Sequence, residues 1–179
     1  MHTFWNRANA VFAFMLSVLA AATFAAFLST AITNYTTSVK IAVSNPRLKD
    51  ISDYTTDGAR SDIAMLAMDL DIDVAPIYNW NVKQLFLYLV AEYKTTKNEM
   101  NQVVLWDKII MRDEWSKIHE VKMFPKYYFT DDGNGLLGHK NVSLTLRWNV
   151  IPNAGYLRQV MGEGEAQVEF PSKYITGRF

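Results

Sequence analysis

Cysteine is absent from the 179-residue chain, so it has neither a disulfide framework nor a cysteine-ligated metal site. Its core must hold without cross-links, and the count does not fix a redox compartment. Net charge is missing too, with 18 basic residues balancing 18 acidic ones. Nucleic-acid binding draws on a clustered basic surface, and nothing here suggests one. Histidine occurs only at His2, His119 and His139. None of the three belongs to a recognisable catalytic box, and the metal-binding pattern His-x-x-x-His is missing. There is no Gly-x-Ser-x-Gly nucleophile elbow and no phosphate-binding Gly-x-x-x-x-Gly-Lys-[Ser/Thr] loop. Gly133-x-Gly135 and Gly162-x-Gly164 lack the rest of a dinucleotide fingerprint. No internal repeat, low-complexity tract or linker interrupts the chain. We therefore expect no catalytic residue, no cofactor and no bound metal.

Charge is most conspicuously missing between residues 8 and 39, where no Asp, Glu, Lys or Arg occurs. The apolar centre, residues 10–32, makes a helix about 34 Å long at roughly 1.5 Å per residue. A bilayer's hydrocarbon core is about 30 Å thick, so the stretch can span it. Phe4 and Trp5 precede it and Tyr35 follows, where aromatic rings favour the two interfaces. A cleaved signal peptide is the competing reading, supported by small residues around 20–26 and 29–31. Its apolar core would be shorter, about 7–15 residues, and its start more cationic than Arg7, His2 and the α-amino group. The length favours an uncleaved anchor. Along it, Ala13, Ser17, Ala21, Ala25 and Ser29 recur every four residues, with Ala22, Ala26 and Thr30 alongside. Such small-residue stripes let a second transmembrane helix approach closely, although Ala is also simply a good helix former.

After the span the period changes to two. Residues 39–43 place branched apolar side chains at odd positions. Leu66, Met68, Leu70, Ile72 and Val74 alternate with Ala67, Asp69, Asp71 and Asp73, which predicts a strand with one dry and one acidic face. Residues 84–93 are almost continuously apolar and read as a central strand covered on both faces, with a buried helix the alternative that period alone leaves open; residues 103–111 read similarly. Residues 126–130 form a short aromatic strand. Val142, Leu144, Leu146, Trp148 and Val150 alternate with polar residues, as do Ala166, Val168 and Phe170. Residues 113–121 are polar and read as a helical turn or loop. Turn signals stand at Asn45-Pro46, Asp57-Gly58, Asp132-Gly133-Asn134-Gly135, Pro152-Asn153-Ala154-Gly155 and Gly162-Glu163-Gly164. About seven short strands so punctuated predict a mainly β fold, one transmembrane helix followed by a single antiparallel β-sandwich.

The Asp69, Asp71, Asp73 row fails as a calcium loop. Counting from Asp69, an EF-hand needs Gly at place six and Glu at place twelve, where Val74 and Trp80 stand. The run from Thr130 to Gly135 fails similarly and reads as a plain turn. Asn141-Val142-Ser143 is an N-glycosylation sequon at the start of a strand. Asn34-Tyr35-Thr36 is another, but it lies only about 7 Å beyond the span, too close for the glycosylating enzyme.

At Asn79-Trp80-Asn81-Val82-Lys83-Gln84-Leu85-Phe86 the chain resembles the subunit 3 family of eukaryotic signal peptidase complexes. The resemblance extends to Arg7-Ala8-Asn9-Ala10-Val11-Phe12-Ala13-Phe14 and Asn101-Gln102-Val103-Val104-Leu105-Trp106-Asp107-Lys108. It includes Tyr127-Tyr128-Phe129, Asp131 to Gly135, and Asn141-Val142-Ser143-Leu144-Thr145-Leu146. It ends with Trp148-Asn149-Val150-Ile151-Pro152-Asn153-Ala154-Gly155. Residues 55–60, 112–121 and 156–165 match least and read as variable loops. The resemblance implies a type II single-pass glycoprotein of the endoplasmic reticulum. Residues 1–9 would be cytosolic, 10–32 the signal-anchor helix and 33–179 a luminal β-sandwich. It implies a non-catalytic subunit supporting a separate serine-protease subunit that removes signal peptides from nascent proteins. Partners would be that protease subunit, other membrane subunits of the complex and the lipid bilayer, with a glycan on Asn141.

Flanking charge alone does not orient the span, because Arg7 and the α-amino group oppose Lys40 and Arg47. Tyr78, Trp80 and Trp106 are candidates for a protein interface, weighed against burial in the core. Two other readings stay open at this point. One is a single-span binding module with no protease partner; the other is a hydrolase using a spatial triad through His119 or His139.

Overall fold

The computed structural model describes residues 3–52, 60–131 and 133–177. A helix, α1 (Phe4–Thr30), is followed by eight strands among these residues: β1 (Val39–Ser52), β2 (Arg60–Asp73), β3 (Val82–Tyr93), β4 (Asn101–Met111), β5 (Lys117–Met123), β6 (Phe129–Thr130), β7 (Val142–Pro152) and β8 (Arg158–Val168). A single 3₁₀ turn, Ala75–Ile77, links β2 to β3.

Two antiparallel sheets pack face to face. One runs β1-β2-β5, with β6 also paired to β2; the other runs β4-β3-β7-β8. The alternating residues of β2 form one wall of the core, with Leu66, Met68, Leu70, Ile72 and Val74 all buried. Leu85, Leu87 and Leu89 of β3 and Leu144, Leu146, Trp148 and Val150 of β7 form the other. Burying such side chains contributes roughly 1.5–3 kcal/mol each against exposure. The two sheets also meet at one edge. Glu163 N–H donates to Thr37 O (3.0 Å), and Ser38 and Glu163 form a parallel bridge.

Several strands depart from the pattern expected. Asn45-Pro46 is no turn but a bulge inside β1, with Asn45 at φ 55° and the register slipping between Ser44 and Arg47. Tertiary pairing to β2 resumes on both sides, which overrides the local turn preference. Residues 117–123 form strand β5, because β2 offers them its free edge. Gly162-Glu163-Gly164 lies inside β8, so residues 158–165 are strand rather than variable loop. The register between β7 and β8 shifts there, between Thr145 and Arg147. Gly164, at φ 149°, has no space for a side chain, since a Cβ would stand 2.1 Å from Val39 O. The period-two pattern is broken by these irregularities and could not show them. β3 is central, yet its second face, with Phe86 and Tyr88 stacked at 5.5 Å, is half-exposed. β4 is an edge strand, with Ile109 and Met111 exposed. The Asp57-Gly58 turn, His2 and Asp132 lie outside the described residues.

Helix α1 is long and apolar enough to cross a membrane. Its 27 residues extend about 40 Å at roughly 1.5 Å each. It is apolar on every side and bare over nearly its whole length, with only Ala26, Phe27 and Thr30 near its end covered appreciably by the sandwich. A helix apolar all round needs an apolar environment, and the sandwich does not supply it.

Candidate functional site

The joint where α1 meets the sandwich is tied by a network of side-chain and main-chain hydrogen bonds. It is built on Asn81, which is 1 % exposed. Its carboxamide uses donor and acceptor together. Nδ2 donates to Thr30 Oγ1 (2.9 Å) and Ala154 O (2.8 Å), while Oδ1 accepts from Ala154 N–H (2.9 Å). Its main-chain carbonyl accepts from Asn153 N–H at 2.7 Å. One side chain thus ties the last turn of α1, the start of β3 and the β7–β8 hairpin. Asn79 stands beside it. Its Oδ1 accepts from the N–H groups of Asn81 (2.9 Å) and Val82 (3.2 Å), and its Nδ2 donates to the Tyr35 hydroxyl (3.1 Å). Such Asn turns form because the short side chain mimics a backbone carbonyl.

Tyr35 completes the network. It is buried, its hydroxyl donates to Thr30 O at 3.4 Å, and its carbonyl accepts from Trp148 Nε1 at 3.0 Å. Arg158 lies over its ring at 5.6 Å and donates from Nη1 to Thr33 O at 2.8 Å. Residues 33–38 are therefore pinned to the sandwich and are not a loose tether. Phe27 packs against Gly155, where a Cβ would stand 2.9 Å from its ring, and meets Tyr156 edge-on at 5.9 Å.

The three interface candidates separate. Trp80 is 58 % exposed beside the joint. Trp106 is half-buried against the core. Tyr78 is half-buried and donates to Ile110 O at 2.7 Å; burial pushes its phenol up to about 12, with Glu114 adding to the rise and Arg112 opposing it. On β4, the Lys126 ammonium and then the Tyr127 hydroxyl, bonded to Asp107 at 2.6 and 2.7 Å, hold its carboxyl below the ordinary range.

The acidic row of β2 is spoken for. Asp69 Oδ1 accepts from Lys122 N–H (2.7 Å), Asp71 faces His119 (3.8 Å), and Asp73 Oδ1 accepts from Ala75 N–H (2.9 Å). No group of three or more metal-ligating side chains forms among the described residues. His119 and His139 are not brought together, since His139 packs edge-on against Tyr93 at the other end of the sandwich.

Asn141 is exposed and sits immediately before β7. The eleven residues of β7 put it roughly 35 Å from the joint. It lines a cleft of about 680 Å³ with Glu92, Lys94, His139 and Lys140. The loops of that end are closed by Asp62 and Asp131. Asp131 accepts from Asp62 N–H (3.1 Å) and Gly135 N–H (2.6 Å); Asp62 Oδ2 accepts from Leu136 N–H (2.7 Å) and the Tyr174 hydroxyl (3.2 Å). The stripe residues Ala13, Ser17, Ala21, Ala25 and Ser29 are exposed on α1. Ser17 and Ser29 return their hydroxyls to Ala13 O (2.9 Å) and Ala26 O (2.8 Å), which leaves a smooth apolar surface. Pattern reading missed Asn81 and Asp62, the two buried organisers. Asn81 lay within a recognised stretch, but nothing local distinguishes a bonding carboxamide from a solvated one.

Residues 1–173 match the family described as "Signal peptidase subunit". The chain is 51 % identical over 178 residues to signal peptidase complex subunit 3 of Caenorhabditis elegans, covering 99 % of each chain. It is 52 % identical over 176 residues to that of Gallus gallus, covering 98 % of each, and 51 % identical over 174 residues to that of Homo sapiens, covering 97 % of each.

Proposed function

The chain belongs to the signal peptidase subunit family, and on that premise we propose that it is a non-catalytic accessory subunit of the signal peptidase complex of the endoplasmic reticulum. The observation that carries the reading is the extent of the likeness. It runs through α1, the joint and the sandwich together, at about half identity over 97–99 % of the chain. In this reading residues 1–9 are cytosolic, 10–32 anchor the chain as a type II span, and 33–179 form the luminal domain. The partners are the catalytic serine-protease subunit, the other membrane subunits and the bilayer.

The joint supplies a physical role. Signal peptides are cut close to the membrane surface, so a domain fixed there raises the effective concentration of its surfaces at the cleavage site. A side chain that bonds helix, strand and hairpin at once limits swivelling between anchor and domain. The stripe Ala13, Ser17, Ala21, Ala25 and Ser29 offers a close-packing face to a neighbouring membrane helix. Asn141, exposed and distant from the membrane end, is the glycosylated residue.

Tagged chain purified in mild detergent from endoplasmic-reticulum membranes tests the assignment. Signal-peptide cleavage activity co-purifies and persists after His119 and His139 are both replaced. A folded chain that brings down no activity contradicts it. Glycosylation has its own test: after insertion into microsomes, Asn141→Gln runs faster than the parent, and glycosidase removes the difference. Equal mobility throughout would overturn the glycan assignment and its support for a luminal domain.

A further inference from the structure

Three loops surround the point where α1 leaves the sandwich: the turn before β3, the β4–β5 connection and the β7–β8 hairpin. They are tied into one rim. Arg112, from the second loop, donates to Asn79 O and Val82 O in the first; Val74 N–H donates to Ser116 O at 2.9 Å; and Asn81 joins the first loop to the third. The rim carries an unusual outward surface. Trp115 is 91 % exposed, and Trp80, Tyr156 and Leu157 are each more than half exposed. The sandwich holds four tryptophans. Trp148 is buried and Trp106 half-buried, so the two exposed ones both stand on this rim.

The depth of the rim follows from the joint. The apolar run ends at Ile32, just past α1; the first loop is hydrogen-bonded to Thr30, the third touches Phe27, and the second is held to the first through Arg112. The rim thus lies level with the end of the membrane-spanning stretch, where one side of an indole or phenol meets hydrocarbon and the other water. Its charges are mixed: Lys83, Arg112, Lys117 and Arg158 alternate with Asp73, Asp113 and Glu114, and Lys117 pairs with Asp73 at 3.8 Å. Attraction to anionic lipid is therefore not the driving term.

We propose that the sandwich rests on the bilayer through this rim, with Trp115, Trp80, Tyr156 and Leu157 seated at the headgroup–acyl boundary as a second lipid contact besides α1. This rests on the reading of α1 as a membrane span. The occupant is a zwitterionic lipid surface. Such a contact limits how far α1 and the sandwich together can tilt from the membrane normal, which a single span leaves loose.

The absence of cysteine makes the test direct, since single cysteines can be placed and spin-labelled in the full chain. Labels at Asp113→Cys and Asn153→Cys report the rim, Lys97→Cys the opposite end, and Ala20→Cys the span, all in phosphatidylcholine vesicles. Accessibility to oxygen relative to a water-soluble nickel chelate measures immersion. The rim labels read a ratio several-fold above that of position 97, and adding Trp115→Ser and Tyr156→Ser lowers the ratio at 113 towards it. Rim labels equal to position 97, with position 20 immersed, overturn the proposal and leave the span intact. An aqueous reading at position 20 overturns the span and the proposal together. Rim labels shielded from both probes mark contact with a second copy and overturn it as well, as does a ratio at 113 that ignores the two serine substitutions.

Discussion

Beside α1 the helix, strand and hairpin are joined by the carboxamides of Asn79 and Asn81; at the far end the loops before β7 are closed by the carboxylates of Asp62 and Asp131. Asn81 satisfies a main-chain acceptor and a main-chain donor at once, and Asn79 two main-chain donors and a phenol oxygen. At the far end Asp62 and Asp131 accept from N–H groups and a phenol. A neutral amide can bridge a carbonyl and an N–H without bringing a charge into a poorly solvated site, where an unpaired charge is costly. A carboxylate offers stronger, charge-assisted bonds but only to donors. Each group fits its partners rather than its exposure: Asn81 meets a hydroxyl, a carbonyl and an N–H, whereas Asp62, equally buried, meets only donors, an N–H and a phenol.

Reciprocal isosteric exchanges break this comparison most sharply. Asn81→Asp leaves Thr30 Oγ1 and Ala154 O facing an anion in place of a donor. It should destabilise the chain by about 3–5 kcal/mol, the cost of an uncompensated buried charge. Urea unfolding in detergent micelles, followed by tryptophan emission, measures it; a loss below about 1 kcal/mol would end the claim that the buried Asn81 site excludes charge. The reverse exchange, Asp131→Asn at the far end, loses one of two accepted bonds and should cost only about 1–2 kcal/mol in the same assay. Equal losses from the two exchanges would dissolve the distinction between the ends.

The smallest effect is confined to alkaline pH. The Tyr78 phenol is raised from 10.0 to about 12 in the folded chain. A raised pKa means that the folded state holds the proton more tightly. The stabilisation is complete below pH 10 and is lost as pH climbs towards 12. Tyr78→Phe should flatten that decline while leaving the acid side unchanged. An unaltered alkaline limb in a stability–pH series would show that the phenol contributes nothing there.

Where periodicity was unbroken, the sequence was readable. The alternation from Leu66 to Val74 and from Val142 to Val150 identified the two inner walls of the core, and the uncharged run identified α1. Bulges defeated it. Asn45-Pro46 and Gly162-Glu163-Gly164 carry turn chemistry, yet pairing with β2 and β7 continues past them. β5 was hidden because an edge position tolerates polar residues on both faces. The site was legible only as a stretch of resemblance around Asn79 to Phe86. What Asn81 does depends on Thr30 and Ala154, which lie 51 and 73 residues away and meet it only in the folded chain.

The account turns on α1 and the sandwich moving as one body through the Asn81 joint. Spin labels at Phe12→Cys, far along the helix, and Lys97→Cys, at the far end of the sandwich, report that relation as a distance distribution by pulsed electron resonance in phosphatidylcholine vesicles. The account predicts one narrow distribution that broadens when Asn81→Asp is added. A distribution already broad in the parent, and unchanged by the substitution, would mean that the sandwich swings freely on its anchor and would contradict it.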